Sequence, residues 1–236
     1  MNATVSATHL LRQFVLYAIV EVFLLLMTRA GYALWRFPAV EAGGKPLELF
    51  ITGLRFDLSL VGASCLVPLV VGSLLGMFDV TRAVAKWFVL VWLVLSLAFV
   101  LLAELVTPYF LGSAEARPDA SAFADLPGLV ANIGSLAAGY PVPTAIGALL
   151  VVLILVAYVI RTETTRFLRY RLSRPSAVAL AVFGGFLCVL AARSVLDFTG
   201  PALSAADASL GGEAVVDQIA MNSAWTTVRS LLAPLL

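Results

Sequence analysis

Six ionisable side chains, Arg29, Arg55, Asp57, Glu104, Arg193 and Asp197, fall inside or at the edge of long apolar stretches. A charge carried into a membrane helix costs about 2.5 to 3.5 kcal/mol on insertion scales, so it persists where it pairs, lines a cavity or meets a substrate. Arginine keeps its charge and can grip a phosphate through two parallel N–H donors, and a carboxylate beside it fixes its aim. Arg55 is the first choice for contacting a lipid phosphate, with Arg29 and Arg193 in the second rank and Asp57, Glu104 and Asp197 as supporting carboxylates. Arg55 and Asp57 are two apart on a helix and point to nearly opposite faces, so each needs a partner on another element. Arg193 and Asp197 are four apart and can pair within one turn. For any one of these groups the plain structural reading is that it fastens the bundle or snorkels to headgroup level.

Other chemistries are poorly supplied. Cys65 and Cys188 lie within apolar runs, where thiols pack as small hydrophobic groups, and His9 is the single histidine. These residues cannot assemble a zinc site, a Cys/His pair or a Ser/His/Asp triad. Gly43-Gly44, Gly184-Gly185 and Gly211-Gly212 lack the strand-and-helix setting of a phosphate loop.

The elements that must position these groups are membrane helices. With 61% hydrophobic and 12% charged residues and a mean hydropathy of +1.02, the chain does not have the composition of a soluble domain. A span needs about 20 apolar residues, and on that criterion the sequence predicts an all-α polytopic fold with spans over 14–34, 50–77, 87–105, 144–160 and 177–196. Pro68 is a natural kink in the second. The first is too long for a secretory signal, and no cleaved leader is expected. The organisation expected is a five-helix membrane domain over 1–212 followed by an amphipathic interfacial helix over 213–236.

Lys and Arg in the connections set the orientation. Arg12, Arg82, Lys86, Arg161, Arg166, Arg169, Arg171 and Arg174 fall on one side, and only Arg36, Lys45, Arg117 and Arg229 on the other. The positive-inside rule puts the amino terminus in the cytoplasm and the carboxyl terminus outside. All six intramembrane charges then lie at the outer leaflet. Glu21 does not: nine residues beyond Arg12, at 1.5 Å per residue, it sits roughly 13 Å deep, and it must be protonated or paired. The basic run 161–174 reads as a topology signal touching anionic headgroups, not as a nucleic-acid site, since the net charge is only +1.

Two outer segments carry helical apolar spacing. Leu126, Leu129, Val130, Ile133 and Leu136 suggest a short interfacial helix. Val215, Val216, Ile219, Ala220, Trp225 and Val228 suggest a second helix that either lies flat at the surface or docks on the bundle.

Three stretches carry a resemblance. Gly53-Leu54-Arg55-Phe56-Asp57-Leu58, then Asn132-Ile133 with Gly139-Tyr140-Pro141-Val142, and Asp217-Gln218-Ile219-Ala220-Met221-Asn222 resemble the membrane region of the lipoteichoic acid synthase and phosphoglycerol transferase family. The order of the motifs and the five-span layout are similar too. The segment Ser113-Ala114-Glu115-Ala116-Arg117-Pro118-Asp119 departs from the family pattern, which leaves that loop's contacts open. The resemblance implies an anchor in the bacterial cytoplasmic membrane for an extracytoplasmic sulfatase-like domain, in cis or in trans. That domain would transfer phosphoglycerol from a phosphatidylglycerol-like lipid through a threonine nucleophile and a divalent metal, Mn or Mg. It is not present before Leu236, so the chain is expected to be a fragment, a truncated product or a separate anchor subunit, with no cofactor of its own and no turnover. The competing reading is a non-enzymatic membrane subunit or small transporter whose charges line a solute path.

Overall fold

Inside hydrocarbon no water can satisfy a backbone N–H or C=O, and a helix closes those bonds within one segment, which is why the apolar runs coil. In the computed structural model, residues 7–125, 127–128, 172–194 and 203–232 are described. They form α1 (Ala7–Trp35), the short α2 (Phe37–Ala42), α3 (Pro46–Gly76) and α4 (Arg82–Ser113). A further long helix, α5 (Arg174–Arg193), contains one wider π turn at Leu180–Gly184. The tail forms α6 (Ala214–Ala220) and α7 (Ser223–Leu232). There is no strand among the described residues, and Leu10–Trp35, α3, α4 and α5 are each long and apolar enough to cross a membrane. The chain is an all-helical, multi-pass membrane protein.

Helix ends shift from the expected boundaries for local reasons. α3 begins at Pro46, whose missing N–H costs nothing in a first turn, and continues through Pro68 to Gly76. α4 runs eight residues past the expected 105, through Pro108 to Ser113. α5 opens after Ser173, whose hydroxyl accepts the Ser176 amide, and stops at Arg193 because Ser194 is left-handed at φ 50°. Asp197 lies outside the described residues, as do the expected span 144–160 and most of the interfacial helix over 126–137.

α3 is the central helix, antiparallel to the other three. Trp92 Nε1 donates to Ser64 O at 2.9 Å, and Val89 fills the notch at Gly72. Ser194 donates to Arg55 O at one end of the α3–α5 contact, while Gly184 meets Leu69 farther along. Gly62 lets α5 come close: a Cβ there would enter the α5 backbone between Cys188 and Ala192. Leu24, Leu25, Leu60, Val61, Leu93 and Leu97 fill the space between α1, α3 and α4. This packing gathers Arg29, Arg55, Asp57, Glu104 and Arg193 at one end of the bundle, here termed the charged end.

The tail is not the single helix expected over 213–236. α6 and α7 are separated by an extended Met221, and Asn222 caps α7 by accepting the Trp225 amide at 2.7 Å. Nor does the pair lie flat on the surface. Ile219 and Ala220 are buried in one cluster with Leu49, Phe56 and Leu111, Ala224 is buried in the cluster between α1, α3 and α4, and the Phe56 and Trp225 rings meet edge to face at 4.8 Å.

Candidate functional site

The α6–α7 junction is where the charged end closes. A helix terminus leaves carbonyls unpaired at its C-terminal end and amides unpaired at its N-terminal end, with matching partial charges. α6 presents its final carbonyls, Gln218 and Ile219, to two arginines. Arg117 Nε donates to Gln218 O at 2.6 Å, Arg117 Nη2 to Ile219 O at 3.4 Å, and Arg29 Nε to the same Ile219 O at 3.3 Å. α7 presents its first amide to a carboxylate: Ser223 N donates to Glu104 Oε1 at 2.8 Å.

Two buried ion pairs brace this junction. Arg29 is bidentate to Asp57, Nη1 to Oδ2 at 2.6 Å and Nη2 to Oδ1 at 2.7 Å, with side chains 1% and 0% exposed. Arg29 Nη2 also donates to Gly53 O at 3.1 Å, and Asn222 Nδ2 donates to Asp57 Oδ1 at 3.1 Å. A Cβ at Gly53 would fall inside the Arg29 guanidinium, so only glycine leaves it room. In the second pair, Arg117 Nη1 reaches both Glu104 oxygens, at 2.8 and 3.1 Å, and Ser223 Oγ at 2.9 Å. Tyr32 lies beneath the Arg117 guanidinium and donates its hydroxyl to Glu104 O at 2.7 Å, and the Thr107 and Ser223 hydroxyls bond to each other. Charge-assisted, bidentate geometry of this kind is the strong form of the hydrogen bond.

The candidate residues thus separate into groups. Arg29 and Asp57 meet each other, and Glu104 meets Arg117; all four are buried. The Arg55 side chain, turned to the other side of α3, is 38% exposed and lies 3.8 Å from Asp207 in the turn 205–208. Arg193 is half-buried at the end of α5, one residue before the Ser194 hydroxyl that bonds to Arg55 O. Asp57 and Arg55 accordingly have partners on different elements. Arg117, Asn222 and Ser223 were not singled out from sequence as site residues. Glu104, needing a cation inside the bundle, was the available signal for Arg117, which is the next arginine along the chain. The loop whose contacts were open, 113–119, is the one that delivers it.

Chemically this arrangement is a network of charge-assisted hydrogen bonds. Its donors and acceptors are taken up by one another, and among the described residues no group of three or more His, Cys, Asp and Glu side chains could hold a metal ion. Cys65 is buried and Cys188 half-buried, both as free thiols. At the surface, hydrogen bonds from the Ser204 backbone amide and hydroxyl hold the Asp207 carboxyl below its ordinary value, with Arg55 adding to the effect. The Ser121 hydroxyl does the same for Asp119. Glu21 is fully buried on α1, and among the described residues neither of its oxygens has a hydrogen-bond partner.

No protein-family model matches the chain, and no solved structure matches it. Its class is defined by its own architecture: a helical membrane bundle with a two-helix cap locked onto one end through buried arginine–carboxylate pairs.

Proposed function

We propose that the chain is the membrane anchor and lipid-facing module of an enzyme resembling the phosphoglycerol transferases and lipoteichoic acid synthases, working on anionic phospholipid of the outer leaflet. The observation that carries this reading is the locked cap. A helix pair held to α1, α3 and α4 by two buried ion pairs gives whatever is attached to it a fixed orientation on the membrane, which a flexible linker would not. Two of the segments that carry the resemblance, 53–58 and 217–222, meet in that lock through Gly53, Asp57, Ile219 and Asn222.

Within this reading the arginines divide. Arg29 belongs to the lock, because Asp57 and two carbonyls occupy its guanidinium. Arg55 is the phosphate ligand, partly exposed and only loosely associated with Asp207, and Arg193 stands beside it at the end of α5. The charged end faces the extracytoplasmic side of a bacterial inner membrane, with the amino terminus in the cytoplasm. α4 finishes at the charged end whereas α5 starts at the opposite one, which supports a fifth crossing between them. The divalent metal and the nucleophile would reside in a catalytic domain in cis or in trans.

The test uses the chain in nanodiscs with labelled phosphatidylglycerol and a divalent metal, measuring lipid retention and diacylglycerol release. Retention is expected to fall in Arg55→Ala with release at background. Retention indifferent to Arg55→Ala removes the headgroup role, and release above background from clean protein removes the anchor-only reading.

A further inference from the structure

The buried carboxylates of the charged end are answered by arginines, and the buried carboxyl of Glu21 is not answered by any among the described residues. Glu21 lies on α1 eight residues before Arg29, about 12 Å along the helix at 1.5 Å per residue. It is 0% exposed, and among the described residues neither of its oxygens has a hydrogen-bond partner. The hydroxyl of Tyr17, one turn earlier on the same face and also buried, lacks one too. Two orphaned polar groups stacked in the packed interior of a membrane bundle are costly unless something completes them.

The surroundings limit what that can be. From its own helix Glu21 faces Tyr17; from α3 it faces Ser64, with Asp57 and Cys65 within electrostatic reach; Cys188 of α5 stands behind Cys65. None of these is a cation. Arg29 is bonded to both oxygens of Asp57. The charged groups of α4 are engaged elsewhere: Arg82 with Asp79, Lys86 over the Trp87 ring and Glu104 with Arg117. Those of α5, Arg174 and Arg193, sit at its two ends. Residues 141–160 contain no Asp, Glu, Lys, Arg or His. A metal ion is also poorly served, since hard cations take about six or more oxygen ligands, and the site offers one carboxyl, one phenol and the Ser64 hydroxyl.

We propose that Glu21 is a proton-binding site in the membrane interior, its carboxyl carrying an exchangeable proton between α1 and α3 with the Tyr17 and Ser64 hydroxyls as its partners. A carboxylic acid donates through O–H and accepts through C=O, and each hydroxyl can do both, so small side-chain rotations close the set without a counter-ion. Buried Leu24 and Leu25 lie between Glu21 and Arg29 along α1, and buried Leu60 and Val61 between Asp57 and Ser64 along α3. The inference is independent of the anchor reading.

Infrared difference spectroscopy of the chain in nanodiscs at neutral pH, parent against Glu21→Gln, tests it. The expected difference is the loss of one protonated-carboxyl C=O band, shifted by deuterium oxide in the parent and retained at a new frequency in Glu21→Asp. Loss of ionised-carboxylate bands instead overturns the proposal. So does a protonated band that disappears on adding sodium or potassium chloride, which would identify a metal-cation site. Should Glu21→Gln fail to fold, the parent in membranes is treated with dicyclohexylcarbodiimide, which adds to protonated carboxyls in apolar surroundings. Peptide mass spectrometry is then expected to map the adduct to Glu21 and not to Asp57 or Glu104, and an unmodified Glu21 overturns the proposal.

Discussion

Asp57→Asn removes one charge from a pair in which neither side chain is more than 1% exposed. Arg29 would keep the carbonyls of Gly53 and Ile219, at 3.1 and 3.3 Å, and lose its counter-ion. Two unit charges about 4 Å apart at an effective dielectric of about 20 interact by about 4 kcal/mol, which agrees with the roughly 3 to 5 kcal/mol lost when one partner of a buried pair is removed. The new amide can accept only one of the two guanidinium donors and presents its own NH2 toward Arg29 or toward the Nδ2 donor of Asn222, so it does not repair the site. Unfolding of the chain in mixed micelles, followed by far-ultraviolet circular dichroism, should show that loss. Adding Arg29→Gln to Asp57→Asn separates the causes. If the cost is an uncompensated cation, the double variant recovers part of the stability; if it is packing alone, the two losses add. A single variant within about 1 kcal/mol of the parent, on the scale of a solvent-exposed pair, would refute the view that this pair holds the cap.

Further expectations follow from the same geometry. Glu104→Gln should cost a similar 3 to 5 kcal/mol, roughly, and raise amide hydrogen exchange across 223–232 more than across α5, because the Ser223 amide exchanges a charged acceptor for a neutral one and Arg117 loses its counter-ion. Gly62→Val should lower the melting temperature by forcing α5 away from α3, whereas Gly31→Ala, with open space at its Cβ position, should be neutral or stabilising by about 0.5 to 1 kcal/mol. The Asp207 carboxyl titrates below its ordinary value in the folded chain. The turn 204–208 should therefore be fully held above the ordinary carboxylate range and released as pH falls through the lowered value, seen as faster exchange of the Ser204 amide. For orientation, a membrane-impermeant thiol reagent should label Ser209→Cys and spare Ser173→Cys in cells with a permeabilised outer membrane, and the reverse pattern would invert the topology.

Much of the fold was legible because hydrocarbon is an unforgiving solvent. Runs such as 50–77 and 87–105 carry so few charges that only spanning helices suit them, and the observed helices overlap each expected span within the described residues. Helix ends were less legible: α4 continues to Ser113 and α5 stops at Arg193, since local caps and the contacts beyond the apolar core decide them. The opposed facing of Arg55 and Asp57 was readable from a two-residue spacing alone. Their partners were not, because Asp207 lies 152 residues after Arg55 in a turn without a helical pattern.

Composition and periodicity determined that this protein is a multi-pass helical bundle, and that most of its buried charges belong to helices and fall toward one end. These properties depend on each residue's own transfer energy and on the 3.6-residue turn, which operate within a segment. Tertiary structure alone decided that Arg29 belongs with Asp57, that Arg117 is drawn in to Glu104, that the tail breaks at Met221–Asn222 to place carbonyls on the arginines and an amide on the carboxylate, and that Glu21 meets no counter-charge among the described residues. Pairing of that kind depends on which helices approach and at what distance, and here the approach is set by Gly53 and Gly62, whose missing side chains gain meaning only when the neighbouring helix is in place.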